Sequence, residues 1–173
     1  MKKFELTTDT KMLLGRKLFR IKALISFGNV RAGDMGGYIE KEGNLSQSGN
    51  AWVSGNAEVS GNARVFGDAR VFGNARVSGN AWVSGDAWVS GDAKVSGNAD
   101  YATASGFGSE YRTTTFFKLK DSNEIGVRCG CFYGTLKEFR AKVKETHGET
   151  KKAKEYLMIA DLMEYRFSEE KKA

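Results

Sequence analysis

Residues 51–98 read AWVSGN, AEVSGN, ARVFGD, ARVFGN, ARVSGN, AWVSGD, AWVSGD, AKVSGN, eight unbroken hexads ending at Asn98. A period this regular excludes both chance and low complexity and marks a repeat architecture. Looser copies precede it, IEKEGN from Ile39 and LSQSGN from Leu45, so the repeat is expected to begin near residue 38.

Within each hexad the Ala and the Val stand two apart, so both face one side of a short strand while the residue between them faces the other. The following Gly-Asn or Gly-Asp pair tolerates the left-handed backbone angles of a sharp corner. Six residues therefore form one side of a coil. A hexapeptide period of this kind points to a mainly β fold, a left-handed parallel β-helix of triangular section with three hexads per coil. A right-handed solenoid is the alternative. The absence of Pro agrees with coils that each donate backbone hydrogen bonds to the next.

Eighteen residues per coil decide which side chains stack. The outward ladders are Trp52, Arg70 and Trp88 on a first face, Glu58, Arg76 and Lys94 on a second, and Arg64, Trp82 and Asp100 on a third. Coils lie about 4.8 Å apart, which would set Arg70 between two indoles at a distance suited to cation–π stacking. Phe72 joins the first face and Phe66 the third. Three Trp and two Phe on a narrow prism form the kind of exposed patch that marks an interface. Trp52, Arg70, Trp88, Arg64, Trp82, Arg76, Phe66 and Phe72 are therefore the candidate ligand- or partner-binding residues. The two readings of the patch are self-association, most simply as a homotrimer, and a platform for a ligand base or a partner protein.

A solenoid exposes raw ends that must be capped. In front of the repeat, KKFEL and KLFRIKALISF read as strands with TTDTK as their turn. Behind it, TTTFFKLK and IGVRCGC read as strands joined by DSNE. Thr135 and Glu138 then form a capping box opening a helix that closes at Gly148, with Leu136, Phe139, Ala141 and Val143 as its apolar stripe. A second helix, about Lys151 to Phe167, is expected to bury Tyr156, Ile159, Ala160, Met163 and Phe167. The expected division is an N-terminal β cap (1–37), the β-helix (38–104) and a C-terminal α+β module (105–173) of ββαα form. ATASGFGSEY reads as the Gly/Ser-rich connector between the last two.

The 173 residues carry a formal charge of +6. Nine basic and five acidic residues fall in 1–50, four and four in 51–98, and fourteen and twelve in 99–173, so the excess is concentrated at the N-terminal end. A local excess of this size argues for solubility rather than bulk nucleic-acid binding. No apolar run approaches the roughly 18 residues that span a membrane. MKKFELTTDT turns polar where a signal peptide is apolar, so the reading is an intracellular, cytoplasmic protein. Cys129 and Cys131 are read as reduced and structural, and with a single distant His they do not form a zinc site.

Catalysis finds little support in the inventory. Hexapeptide acyltransferases use a His between subunits as general base, whereas the only His here is His147, at the end of a helix outside the repeat. The three metal-binding His of the carbonic anhydrases of this fold have no counterpart. The rows are also not the Thr-x-Thr rows of antifreeze solenoids. The reading is no enzyme, no cofactor and no metal.

The segment FRIKALISFGNVRAGDMGGYIEKEGNLSQSGNAWV with the hexads after it resembles hexapeptide-repeat proteins of phages, prophages and some enterobacteria, often labelled acyltransferase or polymer-forming. GVRCGCFYGTLKEFRAKVKETHG resembles a module that follows such repeats in phage proteins. Together these cover about residues 18–167. The resemblance implies a small phage-encoded accessory protein of the host cytosol, of a kind that counters host defence. Such a protein would hold a nucleotide immune signal, such as a cyclic nucleotide or an ADP-ribose derivative, or block a host defence protein. A self-assembling structural role and acyl transfer remain the alternatives.

Overall fold

The computed structural model describes residues 1–168; the last five residues of the expected C-terminal module lie outside the described residues. The chain is mainly β, a parallel β-solenoid of about three turns between a β hairpin and a C-terminal sheet that carries two helices.

The N-terminal cap consists of β1 (Phe4–Leu13), β2 (Arg16–Ala23) and β3 (Met35–Ile39). The expected turn at TTDTK lies instead inside β1. The chain reverses at Leu14-Gly15, whose φ angles of 47° and 80° suit a two-residue hairpin turn whose twist matches its strands. What the polar TTDTK run marks is a bulge. Leu6 faces Ile21 and Thr10 faces Phe19, so three residues of β1 oppose Arg20 alone, and Asp9 in the bulge lies 3.4 Å from the Arg20 guanidinium.

The repeat forms eight two-residue strands: β4 (Trp52–Val53), β5 (Glu58–Val59), β6 (Arg64–Val65), β7 (Arg70–Val71), β8 (Arg76–Val77), β9 (Trp82–Val83), β10 (Trp88–Val89) and β11 (Lys94–Val95). They stack in parallel as β4-β7-β10, β5-β8-β11 and β6-β9, the three expected faces. Each inward Ala and Val from Ala51 to Val95 is at most 1% exposed. Burying a Val side chain is worth roughly 1.5–3 kcal/mol, so this column is the main source of stability.

The first coil departs from the period. Ile39 pairs with Val59 and Leu45 bridges to Val65, each twenty residues on, while Val53 pairs with Val71 after eighteen. The additional pair falls at Gln47-Ser48, between Leu45 and Val53. Gln47 uses the detour, since its Oε1 accepts from the backbone N–H of Lys3 at 2.8 Å and of Phe4 at 3.4 Å. In the same coil Asn44 is fully buried, donates to Gly61 O and Ala63 O, and accepts from Lys41 N.

Both ends are closed by side chains as well as strands. At the front, Phe4 and Ile21 join the solenoid core, and the buried Lys3 ammonium donates to Ala51 O at 2.9 Å and Gly49 O at 3.3 Å. At the back, Phe117 enters the same core. The backbone N–H of Trp82 donates to Asn98 Oδ1 and that of Trp88 to Thr115 Oγ1, in place of a further coil. Asp100 therefore does not extend the Arg64–Trp82 ladder. It turns back in a 3-10 turn (Asn98–Asp100), accepts from Ser96 N and Gly97 N, and pairs with Lys118 at 2.9 Å.

The C-terminal sheet has four strands rather than two: β12 (Tyr101–Ala104), β13 (Thr114–Lys118), β14 (Ile125–Cys129) and β15 (Phe132–Thr135), antiparallel in that order. Part of the expected connector is thus strand β12, paired to β13. Helix α1 (Leu136–His147) opens on the Thr135/Glu138 capping box and ends at Gly148; α2 (Lys151–Phe167) packs beside it. Ala141 is exposed, and Ile159 and Phe167 are half-buried, while Tyr156, Ala160 and Met163 are buried. The second core gathers Phe116, Val127, Phe139, Tyr156 and Met163 between sheet and helices. No helix among the described residues is long and apolar enough to cross a membrane.

Candidate functional site

The register of the strands fixes each outward ladder, so the geometry of the nominated residues follows from the coil. Trp52 pairs with Arg70 and Arg70 with Trp88, as the eighteen-residue period requires. Exposure then separates them. Trp52 is 6% exposed and belongs to the core, because the N-terminal cap folds over it. Phe27 packs edge-on at 5.4 Å, and Phe4 lies at 6.5 Å. Gly36 lies so close that a Cβ there would stand 2.7 Å from the Trp52 ring. The expectation that Trp52 forms part of an outward platform, with Arg70 between two indoles, is therefore corrected.

Arg70 instead lies over Trp88 alone, its guanidinium carbon 5.8 Å from the ring centre. A second cation, Arg128 of β14, lies 5.7 Å from Trp88 and 5.4 Å from Phe72, and Phe72 meets Trp88 edge-on at 6.2 Å. Each such cation–π contact is worth about 0.5–1 kcal/mol when exposed and more when desolvated. Beside this cluster runs a groove of about 720 Å³ lined by Trp88, Tyr111, Arg112, Arg128, Asp86 and Cys131, among others. Tyr111 is 73% exposed. Cys131 is exposed, while Cys129 is half-buried and accepts from Thr114 Oγ1. The groove thus offers aromatic faces and two guanidinium groups across a seam between solenoid and C-terminal sheet. Sequence reasoning missed Arg128, Arg112 and Tyr111, since they lie outside the repeat and no spacing relates them to Trp88.

Arg64, Trp82 and Phe66 assemble separately on the third face. Arg64 lies 5.9 Å from the Trp82 ring, and Phe66 meets that ring edge-on at 6.1 Å. Trp82 is 51% exposed and borders a groove of about 520 Å³ with Leu45 and Gln47.

Arg76 joins neither aromatic group. Its Nε lies 2.8 Å from Glu58 Oε2, while Glu58 Oε1 also meets Lys11 at 2.7 Å. It lines a third groove, of about 460 Å³, at the corner leaving the second face. The eight nominated residues are thus divided among the core, two aromatic clusters and one cationic corner.

His147 ends α1 and stacks on Tyr156 with ring centres 5.8 Å apart. Burial, with Cys129 alongside, pushes the Tyr156 phenol up to about 12. Among the described residues no group of three His, Cys, Asp or Glu is placed to hold a metal ion.

A family model described as YdcK Beta solenoid repeat matches residues 69–85. That segment carries β7, β8 and β9, one strand from each face, and so one coil of the solenoid. A search of curated proteins found no match.

Proposed function

We propose that this protein is a non-enzymatic binding protein, and that the Trp88 groove takes an aromatic, phosphate-bearing ligand of the nucleotide class. The carrying observation is that two guanidinium groups, Arg70 and Arg128, approach one indole beside an open groove. Trp88 and Tyr111 offer surfaces for a base, where stacking is worth about 1–3 kcal/mol per base. Arg112 and Arg128 offer forked donors for phosphate oxygens. The resemblance to phage hexapeptide-repeat proteins supports the setting, a phage-encoded counter-defence factor in the host cytosol that sequesters a cyclic nucleotide or ADP-ribose-type signal. Blocking a host defence protein is the variant of this reading in which the grooves take protein side chains.

A second reading, self-association as a homotrimer, is favoured by the third face. Trp82 stands 51% exposed there beside Phe66 and Leu45, an arrangement that another copy could cover. The two readings are compatible, since the Trp82 and Trp88 clusters occupy different faces. Acyl transfer is less well supported, because the sole imidazole stacks on Tyr156 in the helical unit rather than standing on the solenoid.

Calorimetric titration of the full chain with cyclic dinucleotides and with ADP-ribose derivatives tests the binding reading. Saturable heat that is lost in Trp88→Ala supports it. No heat with any of these ligands removes the sequestration version.

A further inference from the structure

The corner leaving the second face recurs three times, and at two of its levels a carboxylate of this chain sits on the corner amide. At Gly61, Glu40 Oε2 accepts from the backbone N–H at 2.6 Å. At Gly97, which closes the solenoid with a different backbone angle, Asp100 Oδ2 accepts at 3.1 Å. Between them lies Gly79, with φ 60° against 67° at Gly61; its N–H, like those of the Gly55, Gly67 and Gly73 corners, has no acceptor among the described residues. The Gly61 N–H, followed by Arg16, holds the Glu40 carboxyl below its usual range.

Gly79 also lines the groove of about 460 Å³ that holds Arg76. That groove is walled by five cations, of which Arg16 pairs with Glu40, Arg76 with Glu58 and Lys120 with Asp121, while Lys41 and Lys94 have no ion pair among the described residues. The cations come from both ends of the fold. Arg16 follows the β1–β2 turn and Lys41 lies on the first coil, while Lys94 belongs to the last coil and Lys120 follows β13. Lys41 and Lys94 stand on coils three spacings of about 4.8 Å apart, so a ligand with two linked oxyanions suits them better than one with a single oxyanion. Leu13 and Leu14 add an apolar edge.

We propose that this groove is a binding site for the diphosphate group of a small phosphorylated ligand, with one oxyanion on the Gly79 N–H and the rest held by Lys41 and Lys94. It is separate from the Trp88 groove, and neither proposal requires the other.

The test is an amide NMR titration of the ¹⁵N-labelled full chain with sodium pyrophosphate at constant ionic strength. The Gly55, Gly67 and Gly73 amides serve as controls, since they turn other corners at similar φ. A saturable shift is expected at Gly79 well above those controls, with inorganic phosphate binding several-fold more weakly. The Lys41→Glu/Lys94→Glu pair, both exposed side chains, is expected to weaken binding at least tenfold while the remaining spectrum keeps its native dispersion. Trp88→Ala is expected to leave the Gly79 response unchanged. Equal shifts at all corner glycines, no saturation, or binding of a single-stranded oligonucleotide without binding of pyrophosphate would overturn the assignment.

Discussion

The Arg128 guanidinium carbon lies 5.7 Å from the centre of the Trp88 ring, and this contact joins the C-terminal sheet to the first face of the solenoid. The module is thus more than an end plug. It supplies one of two cations to an indole whose other cation, Arg70, comes from the preceding coil. The same pairing makes Trp88 an outward residue in a groove, whereas its ladder relative Trp52 has become core.

That difference gives a stability contrast. Trp52→Ala removes a buried indole packed on Phe4 and Phe27 and is expected to cost about 3–5 kcal/mol. Trp88→Ala loses mainly cation–π and edge contacts and is expected to cost about 1–2 kcal/mol. Urea unfolding of the two variants checks this, and equal losses would contradict the burial of Trp52 as the distinction between them.

Gly36 tests the seat of the cap on the first coil. A Cβ there would stand 2.4 Å from Ile21 Cγ1 and 2.7 Å from both Trp52 and Val53 O, with backbone on one side. Gly36→Ala is expected to cost about 1–3 kcal/mol by overpacking. Thermal unfolding measures it, with Gly43→Ala, where a Cβ meets nothing within 4 Å, as the control.

Much of this architecture was legible from the hexads because Ala and Val recur on one side of every strand, and that pattern leaves one core and three outward ladders. The cap was harder to read. TTDTK has the composition of a turn, yet its threonines are good strand residues and the glycine that makes the reversal lies at Gly15. Gln47-Ser48 passes for an ordinary corner until the pairing of Leu45 with Val65 shows two residues looping out to hold the N-terminal strand. The sites were less legible still. An outward position predicts exposure only where nothing folds over it, so Trp52 was misplaced and Trp82 was not. Arg128 required knowledge of how the C-terminal sheet docks, and no local pattern carries that.

Lys3 makes stability depend on pH. Burial lowers its pKa from 10.5 to about 8. Between those values the unfolded chain holds a proton that the folded chain has released, so this residue's contribution to stability rises with pH from about 8 towards 10.5. The urea midpoint of the wild type is expected to gain on that of Lys3→Met between pH 7 and pH 10, as the charged ammonium no longer has to be buried. A gap independent of pH would contradict the shift.

The third face tests assembly. If Trp82 is covered by another copy, light scattering of the full chain gives a mass near three times 19.0 kDa, and Trp82→Glu reduces it to the monomer. A wild-type monomer would rule out the trimer and leave that face to a different partner.

Binding of a nucleotide-class ligand in the Trp88 groove is tested by calorimetry of the wild type, Trp88→Ala and Arg128→Ala with cyclic dinucleotides and ADP-ribose derivatives. The expected result is saturable binding by the wild type to at least one of these, weakened tenfold or more in each variant while both remain folded. Binding that persists unchanged in both folded variants, or no binding by the wild type to any of them, would contradict it.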